Sequence, residues 1–237
     1  MADAFRVEHD SLGEVKVPKQ AYYGANTMRA VENFPITGNP IDPRFIRAIV
    51  EVKKAAALMN YEVHQLNETR TKAIVSACDR ILAGENMDQF VVDPIQGGAG
   101  TSFNMNANEV IANMATESLG GELGSYRPVH PNDHVNEGQS TNDVIPTAGK
   151  IAMIRYFQDL KEEATKLNAA FEKKSREFDG YIKMGRTQNQ DAVPIRLGQE
   201  FAAYTAVLQR DVKRFDAAID ALSVVNLGGT AIGTGLN

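Results

Sequence analysis

STNDVIPTAGKIAMIRYFQDLKEEATKLNAAFEKK, residues 140–174, is the stretch whose reading decides the fold. Met153, Phe157, Leu160, Ala164, Leu167 and Phe171 recur at spacings of 4, 3, 4, 3 and 4. That is an apolar seam along one helix of about thirty residues. Leu197, Phe201, Tyr204, Leu208, Val212, Phe215, Ile219 and Leu222 repeat the stripe. Two long antiparallel helices with such seams need partners to cover them. Between them, Gly180 to Val193 is Gly-containing and polar and reads as a loop.

Upstream the pattern is shorter and more broken. Gly13, Pro18, Gly24, Pro35, Gly38, Pro40 and Pro43 exclude a long helix near the start, and Val15 to Val17 offers a short β piece. Asp42 followed by Pro43 predicts an N-cap and a first helical residue, with a helix to about Asn60. Ile46, Ile49, Val50, Lys53, Ala57 and Leu58 fall on one face of it. Further helices are predicted from about Glu68 to Ala83 and from about Asn104 to Leu119, each closed by glycine. Gly124 to Gln139 reads as a polar loop layer. The expected fold is mainly α, with a small N-terminal helical domain and minor β over residues 1–139. A partial helical bundle domain, two long helices, follows over 140–237.

Composition narrows the function. Lys and Arg number 25 against 30 Asp and Glu, a net charge of −5. Nucleic acid as a partner is not expected without clustered basic residues. The single cysteine, Cys78, lies in an apolar stretch and reads as a small core residue, which fits a reducing compartment. There is no apolar signal core in MADAFRVEHD and no run of about 18 apolar residues, so no membrane association and a cytoplasmic location are expected.

Three polar blocks fall at helix starts or between helices. Gly97-Gly98-Ala99-Gly100-Thr101-Ser102 lets backbone approach a ligand and puts a helix N-terminus near it, yet it lacks the Lys of a phosphate loop. It reads equally as a turn with Thr101 or Ser102 as N-cap. Gln139-Ser140-Thr141-Asn142-Asp143 holds more polar groups than one cap requires, and the surplus suits a carboxylate at a positive helix end. A redundant cap is the alternative. Gly185-Arg186-Thr187-Gln188-Asn189-Gln190-Asp191 is either a solvated loop, with Arg186 anchored by Asp191, or an anion site. His130 and His134 are four apart, but Pro131 argues against the helix that would align them, so no metal site is expected. The late glycines from Gly228 to Gly235 read as a loop of unassigned purpose.

With these blocks in view, the chain resembles the N-terminal part of the aspartases, in the aspartase/fumarase superfamily. Arg6-Val7-Glu8-His9-Asp10, Tyr22-Tyr23-Gly24 and Arg29-Ala30-Val31-Glu32-Asn33-Phe34 match the family's opening. GGAGTSFNMNANE from Gly97, PNDHVNEGQSTND from Pro131 and GRTQNQDAVPIRLGQE from Gly185 match its next blocks. The resemblance implies the first two long helices of the family's central bundle and a reversible elimination that releases fumarate through an aci-carboxylate. It implies an aspartate ammonia-lyase, with class II fumarase or a non-catalytic assembly module as alternatives. It implies no metal or organic cofactor, a small dicarboxylate or amino-acid substrate, and a homotetramer for the full-length protein. By resemblance, Thr101, Ser140, Thr141, Asn142, Thr187 and Gln188 line the substrate site. His130, Asn132 and Asp133 resemble a secondary anion site. The fumarases of this class carry a titrating His where Gln188 stands; Gln cannot exchange a proton, which favours the aspartase side. The family continues past Asn237 with the Ser-rich loop that supplies the base and with further site residues. The resemblance therefore implies that these residues alone are inactive.

Overall fold

The computed structural model describes residues 4–236. In chain order it holds β1 (Phe5–Asp10), β2 (Gly13–Pro18), α1 (Ala25–Asn33), α2 (Pro43–Glu62), α3 (Glu68–Leu82), α4 (Thr101–Ser118), α5 (Thr141–Glu177), β3 (Ile182–Thr187), β4 (Gln190–Arg196) and α6 (Leu197–Leu222). The described residues of Met1–Ala152 and Val225–Asn237 form one compact unit, and Met153–Val224 forms the other. This division falls inside α5. The expected boundary after residue 139 stands before the helix begins.

In the first unit, Asp42 accepts a hydrogen bond from the Arg44 N–H at 2.8 Å, and Pro43 occupies the first turn of α2. Ile46, Ile49, Val50, Lys53 and Ala57 are buried along that helix, whereas Leu58 is exposed. Asn67 caps α3 through the Arg70 N–H at 2.9 Å. Helices α2, α3 and α4 build the core, with Ile49, Ile74, Ile81, Ile111 and Met114 fully buried. Each such side chain contributes about 2 kcal/mol by leaving water. Phe103 packs on Phe45 at a ring separation of 4.8 Å. Cys78 lies in this core, and burial pushes its thiol up to about 12.

β1 and β2 pair antiparallel from Phe5↔Pro18 to Asp10↔Gly13. The β piece foreseen at Val15 to Val17 is thus half of a hairpin. Helix α1 has Gly24 as its N-cap and no side-chain cap of its own. The Glu109 carboxylate, reaching from α4, replaces one. It accepts from the N–H groups of Gly24, Asn26 and Thr27 and from the Thr27 hydroxyl, at 2.7–3.1 Å. A Cβ at position 24 would run into the Tyr126 hydroxyl and Glu8, so any larger residue must displace them.

In the second unit, α5 and α6 carry rings along their seams. Phe157 meets Phe215 at 5.7 Å, and Phe171 meets Tyr204 at 5.5 Å. Met153 and Leu160 of α5 and Tyr204 of α6 nevertheless stay 44–50% exposed in the single chain. The segment read as a loop from Gly180 to Val193 is instead the antiparallel hairpin β3–β4, with Thr187 opposite Gln190. Gln188 and Asn189 form its two-residue turn, with φ of 49° and 63°. Both central residues in the left-handed region match the twist of a tight hairpin. No helix among the described residues is long and apolar enough to cross a membrane.

Candidate carboxylate site at two helix starts

The first polar block is one 3-10 turn, Gly98–Gly100, that delivers the chain into α4. Gly100 has φ 92°, and a Cβ on it would lie 2.9 Å from Cγ2 of Ile145. Conformation and space both demand glycine there. Gly100, not Thr101 or Ser102, is the N-cap of α4, and it offers no side-chain bond. The exposed Thr101 hydroxyl turns back to donate to the Gly98 carbonyl at 2.6 Å. The contact with Ile145 sets the start of α4 against the first turns of α5.

The second block opens α5. The Ser140 hydroxyl accepts from the Asn142 N–H at 3.3 Å, and the Ser140 N–H donates to Asp143 Oδ1 at 3.0 Å. Thr141 Oγ1 accepts from the Asn104 amide of α4 at 3.2 Å. Pro146 has no N–H, so the Asn142 carbonyl lacks its helical partner. Asn226 supplies the missing donor at 3.1 Å, and the Asn142 amide donates to the Ala231 carbonyl at 3.2 Å. Fully buried Asp143 accepts from the N–H groups of Gly228 and Thr230, each at 3.0 Å. The late glycine-rich loop therefore has a purpose: it returns to brace the Ser140–Asn142 turn.

The structure brings Thr101, Ser140, Thr141 and Asn142 to two adjoining helix N-termini. These carry partial positive charge, which favours an anion. Ser140 and Thr141 are half-buried and Asn142 is exposed. Thr187 and Gln188 belong to the second unit, where both side chains are exposed at the tip of the β3–β4 hairpin. Arg186 does pair with Asp191 across that hairpin at 3.2 Å, and both are about 70% exposed. Such a pair contributes about 0–1 kcal/mol.

Pro131–Val135 is a single π turn rather than plain loop. His130 Nδ1 accepts from the N–H groups of Asn132 and Asp133 at 3.3 and 3.2 Å, and the His130 N–H donates to His134 Nδ1 at 2.8 Å. The two histidines do meet, although Pro131 stands between them. With those backbone donors engaged, an anion at this turn would be held by side chains.

Sequence reasoning missed the polar layer beneath the turn. Lys53 is fully buried on α2 and donates to Asn136 Oδ1 at 2.7 Å and Gln139 Oε1 at 3.0 Å. Burial lowers its pKa to about 7, partly offset by Asp143. Asn136 Oδ1 also accepts from Asn104 and Asn108 at 3.2 and 3.3 Å. The signal was present: Lys53 is the one charged residue among the apolar positions read on that face of α2.

A family profile described as a lyase matches residues 13–237. The chain is 55% identical to the aspartate ammonia-lyase of Bacillus subtilis over 98% of its own length and 49% of that protein. It is 53% identical to the class II fumarate hydratase of Halobacterium salinarum over 100% of its length and 50% of that protein. It superposes with a TM-score of 0.92, at 55% identity, on the cobalt-bound crystal structure of a fumarate lyase:delta crystallin from Brucella melitensis. That match covers 98% of this chain and 51% of the other. The chain thus spans about half the length of the relatives it matches.

Proposed function

Because the chain belongs to the lyase family that includes aspartate ammonia-lyases and class II fumarases, we propose that it serves an aspartate ammonia-lyase, eliminating ammonia from L-aspartate to give fumarate. One observation carries this reading: the starts of α4 and α5 adjoin, with Ser140, Thr141 and Asn142 presented between them. Removing a proton from Cβ of aspartate builds charge on the neighbouring carboxylate. Hydroxyls, an amide and two helix ends fixed in place stabilise that charge without reorganising as it forms. The Ser140–Asn142 turn holds carboxylate oxygens in this reading, and Thr101 joins it once its hydroxyl proton turns from the Gly98 carbonyl to the substrate. By family resemblance Thr187 and Gln188 contact the leaving amine in the assembled full-length protein, and His130, Asn132 and Asp133 form a secondary anion site.

We infer from the family resemblance alone that none of these residues is the proton-abstracting base. Asp143, the carboxylate of the turn, has both oxygens committed to backbone N–H groups. On that resemblance we expect residues 1–237 alone to bind but not turn over. The exposed seams of α5 and α6 are covered in a homotetramer of the full-length protein. A second reading, malate hydro-lyase, draws on the fumarate hydratase relative. Gln188 favours the ammonia reading, since its amide cannot titrate. The test follows fumarate by ultraviolet absorbance, offering L-aspartate and L-malate separately to the full-length protein. Fumarate from aspartate alone supports the proposal; fumarate from malate alone overturns it.

A further inference from the structure

The strongest unassigned feature is the buried amine of Lys53. An ammonium group out of water is costly unless it is fully paired. Lys53 makes two hydrogen bonds, both to side-chain carbonyls of the segment that leads into Ser140. Those bonds orient both amides. With Oδ1 turned to Lys53, Asn136 gathers Asn104 and Asn108 on the same atom, and its Nδ2 donates to the Gln139 carbonyl at 3.2 Å. With Oε1 turned to Lys53, the Gln139 Nε2 donates to the Val135 carbonyl at 2.9 Å. Asn104 in turn donates to Thr141. One amine thus fixes the backbone before Ser140 and, through Asn136 and Asn104, shares a hub with the Thr141 hydroxyl.

We propose that Lys53 is a positioning residue for the carboxylate turn: its amine holds Asn136 and Gln139 so that Ser140, Thr141 and Asn142 face a substrate carboxylate. This rests on the functional reading above. Removing one partner of a buried polar contact costs stability, because the Asn136 and Gln139 oxygens lose a donor. A lysine kept there for the fold alone could still be replaced without loss of binding in a variant that stays folded. The titratable groups acting on it are Asp143 of α5 and Cys78 of α3.

The experiment measures succinate binding by calorimetry, with the full-length protein, its Lys53→Met variant and its Lys53→Gln variant, from pH 6 to 8. Thermal melting is followed in parallel. Lys53→Met is expected to lower Tm yet stay folded at the assay temperature, and to weaken succinate by roughly tenfold to a hundredfold, the scale of a small misplacement of binding groups. Lys53→Gln, which can still donate to one carbonyl, should fall between. The neutral amine keeps two N–H donors for its two acceptors, so wild-type affinity should change little as pH rises through about 7. Wild-type affinity in either folded variant overturns the proposal, as does binding that falls only in step with Tm. A wild-type protein that ignores succinate overturns the functional reading itself.

Discussion

Asp143→Ala tests the bracing of the site most sharply. The carboxylate accepts three backbone N–H groups at 3.0 Å each, from Ser140, Gly228 and Thr230. Thr230 is 5% exposed, so its orphaned N–H would cost about 1–3 kcal/mol. The Ser140 and Gly228 groups can turn to water and would lose about 1 kcal/mol each. A negative charge in the first turn of α5 adds about 0.5 kcal/mol. The loss totals about 4 kcal/mol, of which about 3 kcal/mol holds the segment from 225 to 236 in place. At about 1.4 kcal/mol per tenfold, the segment should open about a hundredfold more often. Hydrogen exchange at Gly233 reports this, because its N–H bonds to the Gly229 carbonyl at 3.0 Å and not to Asp143. Exchange there should rise about a hundredfold in Asp143→Ala and about tenfold in Asp143→Asn, which keeps one accepting oxygen, with helical circular dichroism unchanged. A change at Gly233 below about threefold in the alanine variant would refute the bracing role.

Three further outcomes are expected. Gln188→Gly keeps the hairpin, because φ is already 49° there, and removes the side chain; thermal melting should hold while turnover of aspartate by the full-length protein falls. The Lys53 amine is at about 7 when folded and 10.5 when unfolded, so the unfolded chain binds more protons between those values. Stability should therefore rise from pH 7 to 9 in urea titrations, and Lys53→Met should flatten that rise. Glu109→Ala strips α1 of its cap and leaves several buried donors, costing about 3–5 kcal/mol in urea unfolding, whereas Glu109→Gln should cost about 1–2 kcal/mol.

The helices were legible where periodicity and punctuation agree. Asp42-Pro43 and the apolar face behind it predict α2 nearly to its end, and the glycines after α3 and α4 mark where those helices stop. The β3–β4 hairpin was not legible for a physical reason. Nearly all its residues are exposed, so no alternation of apolar and polar residues marks the strands. The start of α4 was placed three residues late because Gly97 to Gly100 obscures a helix whose cap has no side chain. At the site, Ser140, Thr141 and Asn142 stood out as surplus polarity in one turn. The layer under them did not. Asn104, Asn136 and Asp143 gain meaning only when α4, the π turn and the return loop converge, and that convergence is tertiary.

The most direct test of the central claim is a crystal structure of the full-length protein soaked with succinate. The account predicts one carboxylate within hydrogen-bond distance of Ser140, Thr141 and Asn142 at the joined starts of α4 and α5. Succinate bound elsewhere, with this turn unengaged, would contradict it.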